Sequence, residues 1–381
     1  MNDRPRFLTL DGFSELLCEL QRRGYAVVGP TVQQAAICYD RVHSIEDLPR
    51  GWTDRQEPGR YRLERRDDEA CFGFVVGPHS WKQFLFPPMS TLSLAELSND
   101  GWKVTANEAA NEPRFAFLGV RACELAAIAI QDRVFQQSGF VDPIYAARRE
   151  RALLIAVNCT QSAPTCFCES MQTGPHCTSG FDLALTELGT EFEGGFVIDV
   201  GSERGAEILS AITTTPATVG QLRNADERRA GATQQQRHLP RDEARDIVLG
   251  HLQHPRWSEV ADRCLSCTNC TQVCPTCFCS SVTEVSDLDI TRVERQRVWD
   301  SCFNLDFSYM NGGVVRNSIR SRYRQWLTHK LGSWYDQFGT SGCVGCGRCM
   351  TWCPVGIDLT EEVAALQSPA SQHLGTTTTE V

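Results

Sequence analysis

Cys264-Leu265-Ser266-Cys267-Thr268-Asn269-Cys270-Thr271-Gln272-Val273-Cys274-Pro275 is one half of the reading that decides this sequence. Cys343-Val344-Gly345-Cys346-Gly347-Arg348-Cys349-Met350-Thr351-Trp352-Cys353-Pro354 is the other. Each places three cysteines in one short loop and a fourth just before a proline. Thiolates so spaced converge on one side of a polynuclear metal core. The proline turns the backbone, so the fourth cysteine leaves its own loop.

Bacterial ferredoxins hold [4Fe–4S] clusters with this spacing, and in two-cluster forms the fourth cysteine serves the other cluster. The expected ligands are therefore Cys264, Cys267, Cys270 and Cys353 for cluster 1, and Cys343, Cys346, Cys349 and Cys274 for cluster 2. Structural zinc is the bland alternative, but it takes four ligands from two C-x-x-C pairs and leaves a third cysteine unused. Arg292, Arg295, Arg297, Arg316, Arg320, Arg322 and Arg324 lie between the motifs. They either favour the reduced clusters through their charge or form ordinary solvated and structural positions.

Composition agrees with metal-bound thiols. The chain has 381 residues and 19 Cys. It is long enough for two ordinary hydrophobic cores, so a disulfide-stapled scaffold is unneeded. No export signal stands out, and no apolar run approaches the ~18 residues of a spanning helix. The expected compartment is the cytoplasm, where patterned cysteines bind metal or do redox work. The net charge of −10 argues against nonspecific nucleic-acid binding. Residues 250–360 carry 11 Lys+Arg against 10 Asp+Glu, so the acidity belongs to the rest of the chain. Only Lys82, Lys103 and Lys330 are lysines.

Outward from the motifs, periodicity predicts an α/β domain over residues 1–215. A helix is expected at 11–24, followed by a strand Tyr25–Val28 ended by Gly29-Pro30. Short β-like runs fall at Phe72–Val76 and Phe84–Phe86. Apolar runs Phe115–Val120, Leu153–Val157 and Phe196–Val200 alternate with helical patterns, which argues for partly parallel pairing. Residues 216–245 read as a linker, partly helical. Residues 246–360 read as a mostly α-helical, two-cluster ferredoxin-like domain. Its insert carries an amphipathic helix through Val315, Ile319, Tyr323, Trp326 and Leu327. The stretch 361–381 reads as a disordered tail.

Pro164-Thr165-Cys166-Phe167-Cys168 recurs as Pro275-Thr276-Cys277-Phe278-Cys279. Cys123 and Cys159 follow neighbouring expected strands, whose loops emerge at one sheet edge. Cys123, Cys159, Cys166 and Cys168 are thus candidates for a third iron–sulfur site; the alternative is buried thiols acting as small hydrophobes. Cys177 lies in the same run. Cys277, Cys279 and Cys302 are expected to pack around the clusters rather than ligate. Cys18, Cys38 and Cys71 follow no pattern. No dinucleotide fingerprint follows an expected strand, and no histidine pairs with a nucleophile at a recognisable spacing, so no catalytic residue is assigned.

The two cysteine motifs, with Trp299-Asp300-Ser301-Cys302, resemble the family of sulfhydrogenase (NiFe-hydrogenase) beta subunits and anaerobic sulfite reductase A-type subunits. Gly77-Pro78-His79-Ser80-Trp81-Lys82, Phe84-Leu85-Phe86-Pro87-Pro88, Gly119-Val120-Arg121-Ala122-Cys123 and Asn158-Cys159-Thr160 extend the resemblance over about residues 10–360. Glu124 departs from it, standing where Asp is expected. The resemblance implies an electron-transfer subunit of a cytoplasmic complex, working beside a flavin- and NAD(P)-binding subunit. The catalytic centre would lie in other chains, those of a NiFe hydrogenase or of a sulfite reductase. A different class of function is an iron–sulfur enzyme that itself reduces a sulfur or disulfide substrate; a third is a zinc-binding interaction module.

Overall fold

A computed structural model describes residues 5–106 and 113–368. The N-terminal part is an α/β layer. In chain order it contains β1 Arg6–Leu8, α1 Leu10–Arg22, β2 Ala26–Gln33, β3 Ala36–Arg41, β4 Trp52–Glu57, β5 Arg60–Arg65 and α2 Lys82–Leu85. Then come β6 Met89–Ser98, β7 Gly101–Ala106, β8 Phe115–Val120, α3 Ala122–Gln136, α4 Pro143–Arg151, β9 Leu153–Val157 and β10 Leu183–Glu187. The series closes with β11 Phe196–Val200, α5 Glu203–Leu209, β12 Thr215–Pro216 and α6 Val219–Gly231.

Eight strands form one mixed sheet in the order β12-β1-β11-β10-β9-β8-β2-β3. Its centre is parallel: β2 with β8, β8 with β9, and β9 with β10. The apolar runs are continuous because these strands are covered on both faces. Ala116 and Leu118 of β8 and Leu153, Ile155 and Val157 of β9 meet Phe13, Leu16 and Leu20 of α1. The alternate residues Phe115, Phe117, Leu154 and Ala156 meet Trp81, Phe86, Ile128 and Tyr145 on the other face. Each large side chain so buried stabilises the layer by about 1.5–3 kcal/mol before entropy is counted.

Two expectations need correction here. The strand at 25–28 does not stop at Gly29-Pro30 but runs to Gln33. Its bonds to β8 end at Val28, while β3 continues to pair with it through Pro30↔Tyr39. With one side of β2 free there, the proline removes no ladder bond. The run Phe72–Val76 is irregular backbone, and Phe84 and Leu85 belong to α2. Their apolar character comes from burial under the sheet: Cys71 and Phe72 donate backbone N–H bonds of 2.6 and 3.0 Å to buried Glu187.

The C-terminal part holds α7 Arg241–Gly250, α8 Arg256–Arg263, α9 Asn269–Gln272, β13 Ser280–Ser286, β14 Arg292–Trp299, β15 Tyr309–Met310 and β16 Gly313–Val314. It continues with α10 Ile319–Thr328, α11 Trp334–Phe338, α12 Arg348–Thr351 and α13 Leu359–Gln367. A π-helical turn, His329–Ser333, joins α10 to α11. Trp257, Val260, Tyr323, Trp326, Leu327, Leu359 and Val363 form its core. Within the expected amphipathic helix Val315 is exposed and precedes α10, while the other four residues lie on it.

This part is not helical alone. Strands β13 and β14 pair with β6 and β7 in a second sheet, ordered β13-β14-β6-β7, which joins the two parts of the chain. Between them, the expected linker contains α6, whose Ala225 packs against Leu188 and Val197. Helix α13 occupies the first residues of the expected tail; residues 369–381 lie outside the described ones. Among the described residues, no helix is long and apolar enough to cross a membrane.

Candidate iron–sulfur centre

The two motifs fold alike. In the first, Ser266 and Thr268 adopt left-handed backbone at φ 53° and 69°, and one turn of helix, α9, follows with Cys270. In the second, Gly345 and Gly347 do the same at φ 65° and 76°, and α12 follows with Cys349. The alternation of left- and right-handed residues curls each loop inward. The amide of Ser266 donates to Cys264 Sγ at 3.4 Å, and that of Gly345 to Cys343 Sγ at 3.5 Å. The Ile357 amide donates to Cys353 Sγ at 3.4 Å. Such N–H to sulfur bonds stabilise thiolate ligands and the added charge of a reduced cluster.

Cys264, Cys267, Cys270, Cys349 and Cys353 line one small cavity with Leu265, Phe303, Tyr323 and Trp326. Cys353 acts electrostatically on both Cys264 and Cys270. On the other side, Cys274 acts on Cys343, Cys346 and Cys349. Each loop therefore has beside it the fourth cysteine of the other. Burial pushes the thiols of Cys270 and Cys349 well up. A buried thiolate is costly unless a cation offsets it, and iron supplies that positive charge. The donor set fits a cluster: five cysteine sulfurs line one apolar-walled cavity.

The second loop is seated on the repeated pentapeptide. The Phe167 amide donates to Gly345 O at 2.9 Å, and Thr165 and Thr351 share a 3.1 Å hydroxyl bond. A Cβ on Gly347 would stand 2.4 Å from Thr165 O, so backbone packs on backbone there and only glycine fits. In the other copy Thr276 donates to Gly342 O at 2.6 Å. Both pentapeptides thus flank the second cysteine loop, a role that the repeat alone does not announce.

Cys123, Cys166 and Cys168 are brought together in one apolar cluster with Cys346 at its edge. Cys159 acts electrostatically on Cys166 and Cys168. Cys168 also accepts from Gln235 Nε2 at 3.2 Å. Three of the four expected residues, Cys123, Cys166 and Cys168, thus meet against the second motif, while Cys159 lies outside that apolar cluster.

Sequence reading missed the charges that matter. Of the seven arginines between the motifs, Arg322 reaches the first loop, with Nη2 3.4 Å from Ser266 Oγ. Arg292 pairs with Glu294, and Arg297 with Asp142. The cations beside Cys274 are lysines. Lys330, fully buried on the π-helical turn, donates to Cys274 Sγ at 3.3 Å, Thr276 Oγ1 at 3.1 Å and Gly342 O at 3.1 Å. Buried Lys82 donates to Cys277 O at 3.2 Å and lies 3.9 Å from the centre of the Trp299 ring. The signal was available: two of only three lysines lie here. Replacing Lys330 with Met removes a charged bond to the Cys274 sulfur worth about 1.5–3 kcal/mol, on the order of 100 mV for one electron if that sulfur binds a cluster. The midpoint potential of the cluster bound through Cys274 should fall by that order in an EPR-monitored titration, with cluster 1 unmoved.

Glu124 is also explained. It forms a 2.6 Å buried ion pair with Arg348, next to Cys349, and accepts from Tyr39 Oη at 2.8 Å and Trp81 Nε1 at 3.1 Å. Arg348 further donates to Gly77 O and His79 O at 2.9 and 2.8 Å. The Gly77–Lys82 stretch and the residue after Cys123 therefore serve to hold the second loop.

Residues 263–357 match the family model of the 4Fe-4S dicluster domain. Over 355 residues the chain is 30% identical to sulfhydrogenase 2 subunit beta of Pyrococcus furiosus, covering 91% of this chain and 93% of the relative. This chain belongs to the sulfhydrogenase beta-subunit family. It is an iron–sulfur protein of the electron-transfer type found in hydrogenases. No solved structure matches it. Within the family assignment, the α/β part acts as a platform for the second cysteine loop, through Glu124, Thr165 and Phe167.

Proposed function

We propose that this chain relays single electrons in the cytoplasm, linking a flavin- and NAD(P)-binding subunit to the catalytic subunit of a NiFe hydrogenase. The carrying observation is the pair of equivalently built loops, each with the other motif's fourth cysteine alongside. Cys264, Cys267, Cys270 and Cys353 hold cluster 1; Cys343, Cys346, Cys349 and Cys274 hold cluster 2. The [4Fe–4S] clusters supply one-electron chemistry without bond-making residues. The chain fixes their separation by letting each motif supply the fourth ligand of the other cluster, sets their potentials through amide and Lys330 donors, and packs Phe303, Tyr323 and Trp326 around cluster 1. Cys267 and Leu265 are exposed, so cluster 1 faces a partner while cluster 2 lies inward. The hydrogenase reading rests on the relative's name; a sulfite reductase partner has no such support.

A third cluster on Cys123, Cys159, Cys166 and Cys168 is a further element of the proposal, supported by the meeting of Cys123, Cys166 and Cys168 beside Cys346. Iron analysis tests it: about twelve iron atoms per chain are expected with it and about eight without. The relay itself is tested by mixing anaerobically reduced protein with the co-purifying flavin subunit. Rapid flavin reduction with no turnover of sulfite or sulfur by the isolated chain is the expected result. Turnover of sulfite or elemental sulfur by the chain alone would overturn it.

A further inference from the structure

Three cysteines beside cluster 2 have no part in the relay. Cys277 shares a hydrogen bond with Cys274. Cys279 and Cys302 lie beyond it, at the end of the β13–β14 ladder. Ser280 pairs with Trp299, and the Asp300 amide donates to Cys279 O at 2.9 Å, which brings Cys302 back over Cys279. Cys302 donates to the Cys279 sulfur through both its thiol and its backbone N–H. Both side chains are half-buried and form part of the wall of an open pocket of about 1300 Å³.

That pocket has a chemical character. Arg316, His329, Gln325 and Gln337 contribute its polar groups, Phe307 and Phe338 flank them, and among the described residues no carboxylate lines it. The His329 ring is positioned by a 3.0 Å contact with Gln337 Oε1. Buried Lys330 acts on Cys279, Cys302 and Cys274 alike, so the thiol pair and the cluster 2 ligand share one electrostatic environment. The hydrogen bonds from Cys302 hold the Cys279 thiol below its usual value and push Cys302 up, so Cys279 is the better nucleophile of the two.

We propose that Cys279 and Cys302 are a redox-active dithiol that reduces small anionic disulfides entering this pocket. The Cys279 thiolate attacks one sulfur of R–S–S–R, forming a mixed disulfide and releasing R–S⁻, which takes up a proton. The Cys302 thiol then attacks Cys279 Sγ, releasing the second R–SH and leaving a Cys279–Cys302 disulfide. One disulfide bond is broken and one formed. Two electrons and two protons restore the dithiol, the electrons arriving singly as the proposed relay supplies them; on that reading the cycle rests.

The test uses the full chain loaded with iron and sulfide under anaerobic conditions and reduced. The probe is dithiodipropionate, a dicarboxylate disulfide. Wild type should be reoxidised by it, and peptide mass mapping should then find a Cys279–Cys302 link. Cys279→Ser and Cys302→Ser should each slow that reoxidation by more than about tenfold. Reoxidation by oxidised methyl viologen, which needs no thiol, should be unchanged and iron content should stay at the wild-type value. Unchanged dithiodipropionate rates in both variants, or no such link in wild type, would overturn the proposal. Loss of iron in either variant would overturn it too, by making these residues ligands. A wild type that viologen cannot reoxidise would instead contradict the relay reading.

Discussion

Replacing Cys353 with Ala is expected to abolish the cluster built on Cys264, Cys267 and Cys270 while sparing the one on Cys343, Cys346 and Cys349. The expectation runs against position in the sequence, because Cys353 lies four residues after Cys349. It follows from the cavity that Cys353 shares with the first loop and from Pro354, which turns the chain out of the second. Cys274→Ala should do the reverse and cost the second cluster, with Lys330 left facing an empty ligand position. In each variant iron should fall by about four atoms per chain, and the reduced protein should lose the magnetic coupling between the two motif-bound centres. Loss of the Cys343–Cys349 cluster in Cys353→Ala would refute crossed ligation.

Arg348→Met should be the most destabilising single change outside the ligands. Arg348 is fully buried, as is Glu124, and the pair is joined at 2.6 Å. Removing one member leaves an uncompensated carboxylate and strips donors from Gly77 O and His79 O, a loss of about 3–5 kcal/mol. The double variant Glu124→Leu/Arg348→Met should be less destabilised than Arg348→Met alone, because no charge is then left unpaired. Chemical denaturation of the loaded protein measures both. Equal midpoints for Arg348→Met and wild type would show that the network does not hold the second loop in place.

The parts of the fold read correctly from sequence are those where one local pattern decides. Phe115–Val120 and Leu153–Val157 are apolar throughout because both sheet faces are covered, so their strand character survives without knowledge of neighbours. The cysteine spacings likewise carry their own geometry. What stayed hidden depends on partners far away in the chain. Phe72–Val76 looks like a strand, but the amides of Cys71 and Phe72 go to Glu187, more than a hundred residues on. β6 and β14 are separated by nearly two hundred residues, so nothing local announces that they pair and tie the two parts together. Lys330 and Lys82 are visible in sequence only by rarity, since a buried cation is recognisable once the thiolates around it are placed. Thr165 packs against Gly347 and Thr276 bonds to Gly342 O, so both copies of the pentapeptide brace the same loop, which their sequence alone does not reveal.

An EPR-monitored redox titration of the full, cluster-loaded chain tests the central claim most directly. The account predicts one-electron reductions of two [4Fe–4S] centres whose signals broaden through mutual magnetic coupling as both fill, since crossed ligation by the two motifs holds them close. A chain that stays EPR-silent on reduction while carrying stoichiometric zinc would contradict it.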